Sequence, residues 1–243
     1  MAHLNGYCID RWEVHTIDKK TKKSLSPYYP PSPYLLKFVH NYWSVESWRI
    51  GTPAARKVEL PDVPHHQQKS FQAEAISRPG VIPQGYMTYH SAKRACINAG
   101  KRLCSEEEWE QACKGQNQTK HPYGANYRQG YCNVFRHLHP AFALHGNSSL
   151  GHLDPRLNLV FDENQRALLE LTGAMKKCIS THGDENIYDM VGNLDEWVED
   201  PQGTFRGGFY ARGTREGCEA SISSHGPMYA DYSLGTRCCM DAE

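Results

Sequence analysis

Nine cysteines and 13 histidines are the residues of this chain best equipped for chemistry. The cysteines are Cys8, Cys96, Cys104, Cys113, Cys132, Cys178, Cys218, Cys238 and Cys239. No two stand at the C-x-x-C spacing of a zinc ribbon or a thioredoxin-type redox site. Scatter this wide suits long-range disulfides, which persist in secreted, periplasmic or lumenal space. Reduced, buried thiols in a cytosolic protein are the alternative. An odd total leaves at least one thiol outside any internal pairing. Among the histidines, His65, His66, His137, His139, His145, His152, His182 and His225 fall in segments that read as loops. Neutral imidazole is the commonest protein ligand for transition metals. In an extended segment, His137 and His139 project to the same side. With His225 as a third candidate, they could chelate copper or iron; otherwise loop histidines cap carbonyls or face water. No G-x-S-x-G nucleophile elbow occurs, and no glycine-rich phosphate loop.

The elements that must position these residues are short. Residues 5–14 alternate, with Cys8, Asp10, Trp12 and Val14 on one side, and read as a strand. Residues 19–35 are basic, then rich in proline and tyrosine, and read as irregular chain. Residues 36–87 hold no definite element. A helix is expected over 89–99: Thr88 can cap it, Ala92, Ala95, Cys96 and Ala99 share a face, and Gly100 ends it. A second follows Ser105-Glu106-Glu107-Glu108, a capping box, with Trp109, Ala112 and Cys113 inward and Gly115 as its stop. Residues 120–160 read as loop. Asp162 is placed to cap a short helix through Leu171, and the last strand is expected near Gly235–Cys239.

With 243 residues the chain has room for a sizeable core. Without repeat or linker, it reads as one domain over 1–243. Lys and Arg total 27, Asp and Glu 27, giving zero net charge. That argues against nucleic acid as a partner. No 18 apolar residues run together, so no membrane-spanning helix is expected. No signal peptide opens the chain, which reads as a mature form whose export signal has been removed, secreted or periplasmic.

Five blocks carry a resemblance. Gly100-Lys101-Arg102-Leu103 with Ser105 to Glu110 resembles the GKRLPTEAEWE signature of the formylglycine-generating enzyme (sulfatase-modifying factor) family. Tyr123-Gly124 resembles its YPWG turn. Ile187 to Val198 resembles GVYDMVGNVWEWV, Arg206-Gly207-Gly208 resembles RGGS, and Leu234 to Cys238 resembles GFRC. The blocks keep family order, and Cys8 to Val14 resembles the opening strand. The forms are most similar to a cysteine-rich bacterial branch. The resemblance implies an α+β fold, a C-type-lectin-like variant with small twisted sheets, two short early helices and many loops.

The same resemblance implies chemistry and ligands. The family oxidises a substrate cysteine to formylglycine with molecular oxygen and Cu(I). Two cysteines just after the GGS block hold the copper, because a soft metal prefers thiolates. Here Gly207-Gly208 is followed by Phe209, and only Cys218 stands in the following loop. Sulfatase activation by the usual route is therefore not expected. A metal-dependent oxidase with a different active centre remains, as does a non-catalytic binding module for a protein, peptide or glycan. Family pairing implies Cys96–Cys238 and Cys113–Cys218 disulfides. Loops of over 100 residues are worth roughly 4–5 kcal/mol each in the chain-entropy model. Cys104 is paired with Cys132, Cys8 with Cys239, and Cys178 is left as the odd thiol. A structural calcium is implied at Asp189 and Glu196, with the Gly192 and Leu194 carbonyls. A second would begin at Asn133 and the Val134 carbonyl.

Overall fold

The computed structural model describes residues 1–242. Along the chain run β1 (Ala2–Leu4), β2 (Tyr7–Ile9), β3 (Val14–Asp18), α1 (Pro33–Glu46), β4 (Ala73–Ser77), α2 (Tyr89–Asn98), β5 (Arg102–Leu103), α3 (Glu106–Lys114) and α4 (Pro140–His145). The rest is strand and loop: β6 (Ile179–His182), β7 (Glu185–Tyr188), β8 (Asp195–Trp197), β9 (Phe205–Arg206), β10 (Ser221–Ile222), β11 (Leu234–Thr236) and β12 (Cys238–Asp241). They form two four-stranded sheets, ordered β1-β2-β12-β5 and β10-β9-β8-β11, and two antiparallel pairs, β3-β4, whose strands are joined through α1, and the β6-β7 hairpin. Only β8 and β11 pair in parallel among these ladders.

Local signals account for α2 and α3. Thr88 and Ser91 exchange hydrogen bonds across the first turn of α2, and Ser105 and Glu108 do the same for α3. Each box satisfies helix N–H groups that would otherwise lack partners. The buried faces are those expected: Ala92, Ala95 and Cys96 on α2; Trp109, Ala112 and Cys113 on α3.

Three expectations are corrected. The 5–14 strand is broken: residues 5 and 6 are a turn, Asp10 still donates its N–H to the Cys238 carbonyl while its carboxylate accepts Lys101 Nζ at 2.6 Å and the Cys238 N–H at 3.2 Å, and a bend at residues 11 and 12 separates β2 from β3. No helix follows Asp162. Its carboxylate instead accepts the Asn164 and Arg166 N–H groups, closing a turn with Gln165 at φ +60°. And α1 and α4 stand where only loop is expected. In α1, Leu36, Val39 and Trp43 are buried, while Tyr34, Phe38, Tyr42 and Val45 are exposed. With apolar residues on both faces the helical period is blurred.

The disulfides are Cys96–Cys238, Cys104–Cys239, Cys113–Cys218 and Cys132–Cys178. The first and third are the family pairings; Cys104–Cys132 and Cys8–Cys239 do not form, and Cys8, not Cys178, is the free thiol. Strand register explains the difference. Cys239 lies opposite Ile9, and Cys8 lies opposite Met240. Neighbouring residues of a strand face opposite ways, so Cys8 points away from Cys239. Cys104, at the end of β5 beside β12, reaches Cys239 instead.

Candidate functional site

The segment after β9 is shaped by two glycines. A Cβ on Gly207 would lie 2.8 Å from the Met190 carbonyl, and one on Gly208 would lie 2.1 Å from Thr214 Oγ1. Both take positive φ, +93° and +79°, which favours glycine. The Gly208 N–H donates to Asp195 Oδ1 at 2.9 Å. Burial pushes the Asp195 carboxyl up to about 7, although Arg212 reaches it at 2.6 Å.

Phe209 and Tyr210 follow, and they fill this place with aromatic rings. Phe209 packs against Tyr210, Tyr232 and His139 at 5.5, 5.8 and 6.1 Å between centroids, with the Arg212 guanidinium over its ring. Tyr210 is fully buried and donates to Asn158 Oδ1 at 2.9 Å. The single cysteine of the loop, Cys218, is bonded to Cys113 at 2.05 Å. The residues after Gly208 thus offer no pair of free thiolates, and they do not fit a Cu(I) ion.

A polar chain borders this cluster. The Tyr229 hydroxyl donates to Asp231 Oδ2 at 2.7 Å and lies 3.2 Å from His152 Nδ1. Asp231 Oδ1 accepts from the Ser233 N–H and hydroxyl. The Tyr232 hydroxyl lies 3.3 Å from His139 Nε2. Burial, then the neighbouring His152, hold the His139 imidazole below its usual value.

The three candidate metal histidines are not brought together as a ligand set. His139 belongs to the Phe209–Tyr232 cluster. His225 is stacked on Tyr229 and Phe205 at 4.0 and 5.9 Å. His137 is exposed, on a separate cavity with Arg136 and Asp162. Among the described residues no group of three or more His, Cys, Asp or Glu side chains is arranged to hold a metal ion.

The expected calcium ligands also have other partners. Glu196 Oε2 accepts from Trp109 Nε1 and Arg237 Nε, both at 2.6 Å, and Oε1 accepts from Arg237 Nη2 at 2.7 Å. The cation beside Glu196 is a guanidinium, itself fully buried. Asp189 Oδ2 accepts the Gly173 N–H at 2.6 Å. Glu13, whose role the sequence did not single out, reaches the same region and accepts from Asn193 Nδ2 and the Leu194 N–H. Burial pushes Asp189 up to about 7 and Glu13 well above the carboxylate range, the latter helped by Asp189 and Glu196. Glu13, Asp189 and Glu196 thus gather around one buried arginine, and Glu196 Oε1 accepts a single hydrogen bond. At the second position Asn133 Oδ1 is buried without a partner. Asp162, on the same cavity, is spent on Arg136 and two backbone N–H groups.

The structure adds one further feature. A cavity of about 550 Å³ opens between α1 and the loop after α4, with His145 and His152 on its wall. Behind His145 stand Asp154 and Arg156. Sequence reasoning passed over Asp154-Pro155-Arg156 because its only local signal is a turn.

Two solved structures cover nearly the whole chain at low similarity. The structure of PvdO from Pseudomonas aeruginosa is 14% identical, covering 97% of this chain and 80% of that one, with a TM-score of 0.45. The crystal structure of CarF is 12% identical, covering 100% and 89%, also at 0.45. The major tropism determinant U1 variant covers 64% of this chain and 38% of its own, at 15% identity and a TM-score of 0.29. A search of the curated proteins finds no match. The sulfatase-modifying factor enzyme 1-like domain, however, matches residues 3–242. With that match spanning all but the chain ends, and with the Arg-Gly-Gly, Gly-Asn-x-x-Glu-Trp and Gly-Lys-Arg-Leu blocks in place, the chain belongs to the sulfatase-modifying factor (formylglycine-generating enzyme) family.

Proposed function

We propose that this chain is a family member that has given up copper-centred oxidation of cysteine and serves as a ligand-binding module. One observation carries the proposal: the loop that would hold Cu(I) has a single cysteine, bonded to Cys113, and Phe209 and Tyr210 fill the space behind Gly208. A soft cation needs soft donors, and imidazoles held by tyrosines do not replace a thiolate pair. A scaffold of small sheets and long loops can change its function by changing its sites, with the fold unaltered. The exposed aromatics of α1, with Trp48 just beyond, support recognition of a ligand. Four disulfides support residence in an oxidising compartment, secreted or periplasmic.

The test is a Cu(I) titration against a chromophoric chelator. A Cys8→Ser variant is used, so that the one free thiol does not contribute. The chelator is expected to keep all of the copper. One equivalent retained by the protein would overturn the proposal.

A further inference from the structure

Cys8 is the one thiol among the described residues outside a disulfide, and it is only 2% exposed. It lies in the middle of a row that crosses three strands. His3 of β1 stands opposite it on one side, and Met240 of β12 stands opposite it on the other. The rows to either side, Ala2 with Ile9 and Cys239, and Leu4 with Tyr7, pack on the core. Side chains alternate along a strand, so His3, Cys8 and Met240 share the opposite face of the sheet. An imidazole, a thiol and a thioether thus stand side by side, with no carboxylate in the row. The outer two are exposed and flank the buried thiol.

The spacing suits a metal ion. Cys8 Sγ lies 3.2 Å from His3 Nδ1. A metal bonded to a thiolate at about 2.3 Å and to an imidazole at about 2.0–2.1 Å, at a tetrahedral angle, holds those two atoms about 3.6 Å apart. The pair has to part by only about 0.4 Å to admit one, and His3, on the surface, has room to move. Side chains directly opposite in an antiparallel pair have Cβ atoms about 4.5–5.5 Å apart. Methionine is unbranched and flexible, so Met240 Sδ can reach the same ion.

The donors select the ion. Calcium and magnesium require oxygen ligands, which the row lacks. Zinc sites are built from thiolate, imidazole and carboxylate, and only two of these donors are of that kind. Thiolate and thioether together are soft and favour Cu(I). Because its third donor is a methionine, the row does not form a set of three His, Cys, Asp or Glu side chains.

We propose that His3, Cys8 and Met240 bind one Cu(I) ion through Nδ1, Sγ and Sδ, on a sheet that does not contain the Gly207-Gly208 segment. The Cys8 thiol releases its proton to solvent as the metal enters, and no electron is exchanged. This site goes beyond the binding-module proposal, whose titration uses Cys8→Ser and therefore does not read it.

The test titrates Cu(I), in ascorbate, into the unsubstituted full chain against a chromophoric chelator, beside Cys8→Ser, His3→Ala and Met240→Leu. The last two change exposed side chains, so their melting temperatures without metal are expected to match the parent. The parent is expected to retain one equivalent and Cys8→Ser none. His3→Ala and Met240→Leu are each expected to bind at least about tenfold more weakly, since even the outer partners of a metal ligand are worth about 10–100-fold. Copper K-edge absorption of the loaded parent is expected to show both sulfur and nitrogen neighbours. Three results would overturn the proposal: all of the copper left with the chelator, Cys8→Ser retaining as much as the parent, or either His3→Ala or Met240→Leu binding as tightly as the parent, which would reduce the site to a bare thiol.

Discussion

Asp189 sits at φ +57° with its carboxyl buried and pushed up to about 7. In the unfolded chain an aspartate titrates near about 3.9. Between those values the native state holds a proton that the unfolded chain releases. Stability therefore falls as pH rises through this window, and the loss is complete above the folded value. Asp189→Asn cannot ionise, keeps an oxygen for the Gly173 N–H, and tolerates the left-handed conformation as readily. The variant is expected to be more stable than the parent by about 1–3 kcal/mol near about pH 8, and indistinguishable from it near about pH 4. Denaturant melts at the two pH values check this; an equal offset at both would refute it. Residue types were legible here, but partners were not. Asp189 and Glu196 stand out in sequence as oxygen ligands, yet only the fold shows that Arg237 and Trp109, far along the chain, donate to Glu196. His137 and His139 are two residues apart and His139 has extended backbone, but His137 lies in a bend and is exposed while His139 packs against Phe209 and Tyr232.

Elements with local signals were readable. The capping boxes of α2 and α3 are complete within four residues of sequence, so both helices start where their caps predict. Helix α1 was not readable, because Tyr34, Phe38, Tyr42 and Val45 put apolar side chains on its exposed face. Disulfide pairing falls between these cases. Cys96 and Cys113 sit on buried helix faces and meet the partners that the family pattern implies. The Cys104 and Cys132 partners depend on the register of β12 and on the loop before β6, which no local pattern carries. Peptide mapping without reductant is expected to find Cys96–Cys238, Cys104–Cys239, Cys113–Cys218 and Cys132–Cys178. Alkylation under denaturing conditions should mark Cys8 alone. Alkylated Cys178, or a Cys8–Cys239 peptide, would contradict the register described here.

At the scale of the whole molecule, β12 ties the chain together. It pairs with β2 near the beginning and β5 in the middle, and carries two adjacent half-cystines that lock α2 and the end of β5. That frame is the one the family blocks mark, and it was legible because those blocks are its contacts. Function was less so: a missing cysteine is visible in sequence, but the aromatic filling behind Gly208 and the cavity beside α1 are not. Under the proposed function this frame no longer supports copper-dependent conversion of cysteine to formylglycine. The most direct measurement incubates the full chain with Cu(I), reductant, oxygen and a cysteine-bearing sulfatase-motif peptide, and reads the peptide by mass spectrometry. The peptide is expected to keep its cysteine, with no formylglycine above the protein-free control. Formylglycine accumulating in proportion to protein, over several turnovers, would contradict it.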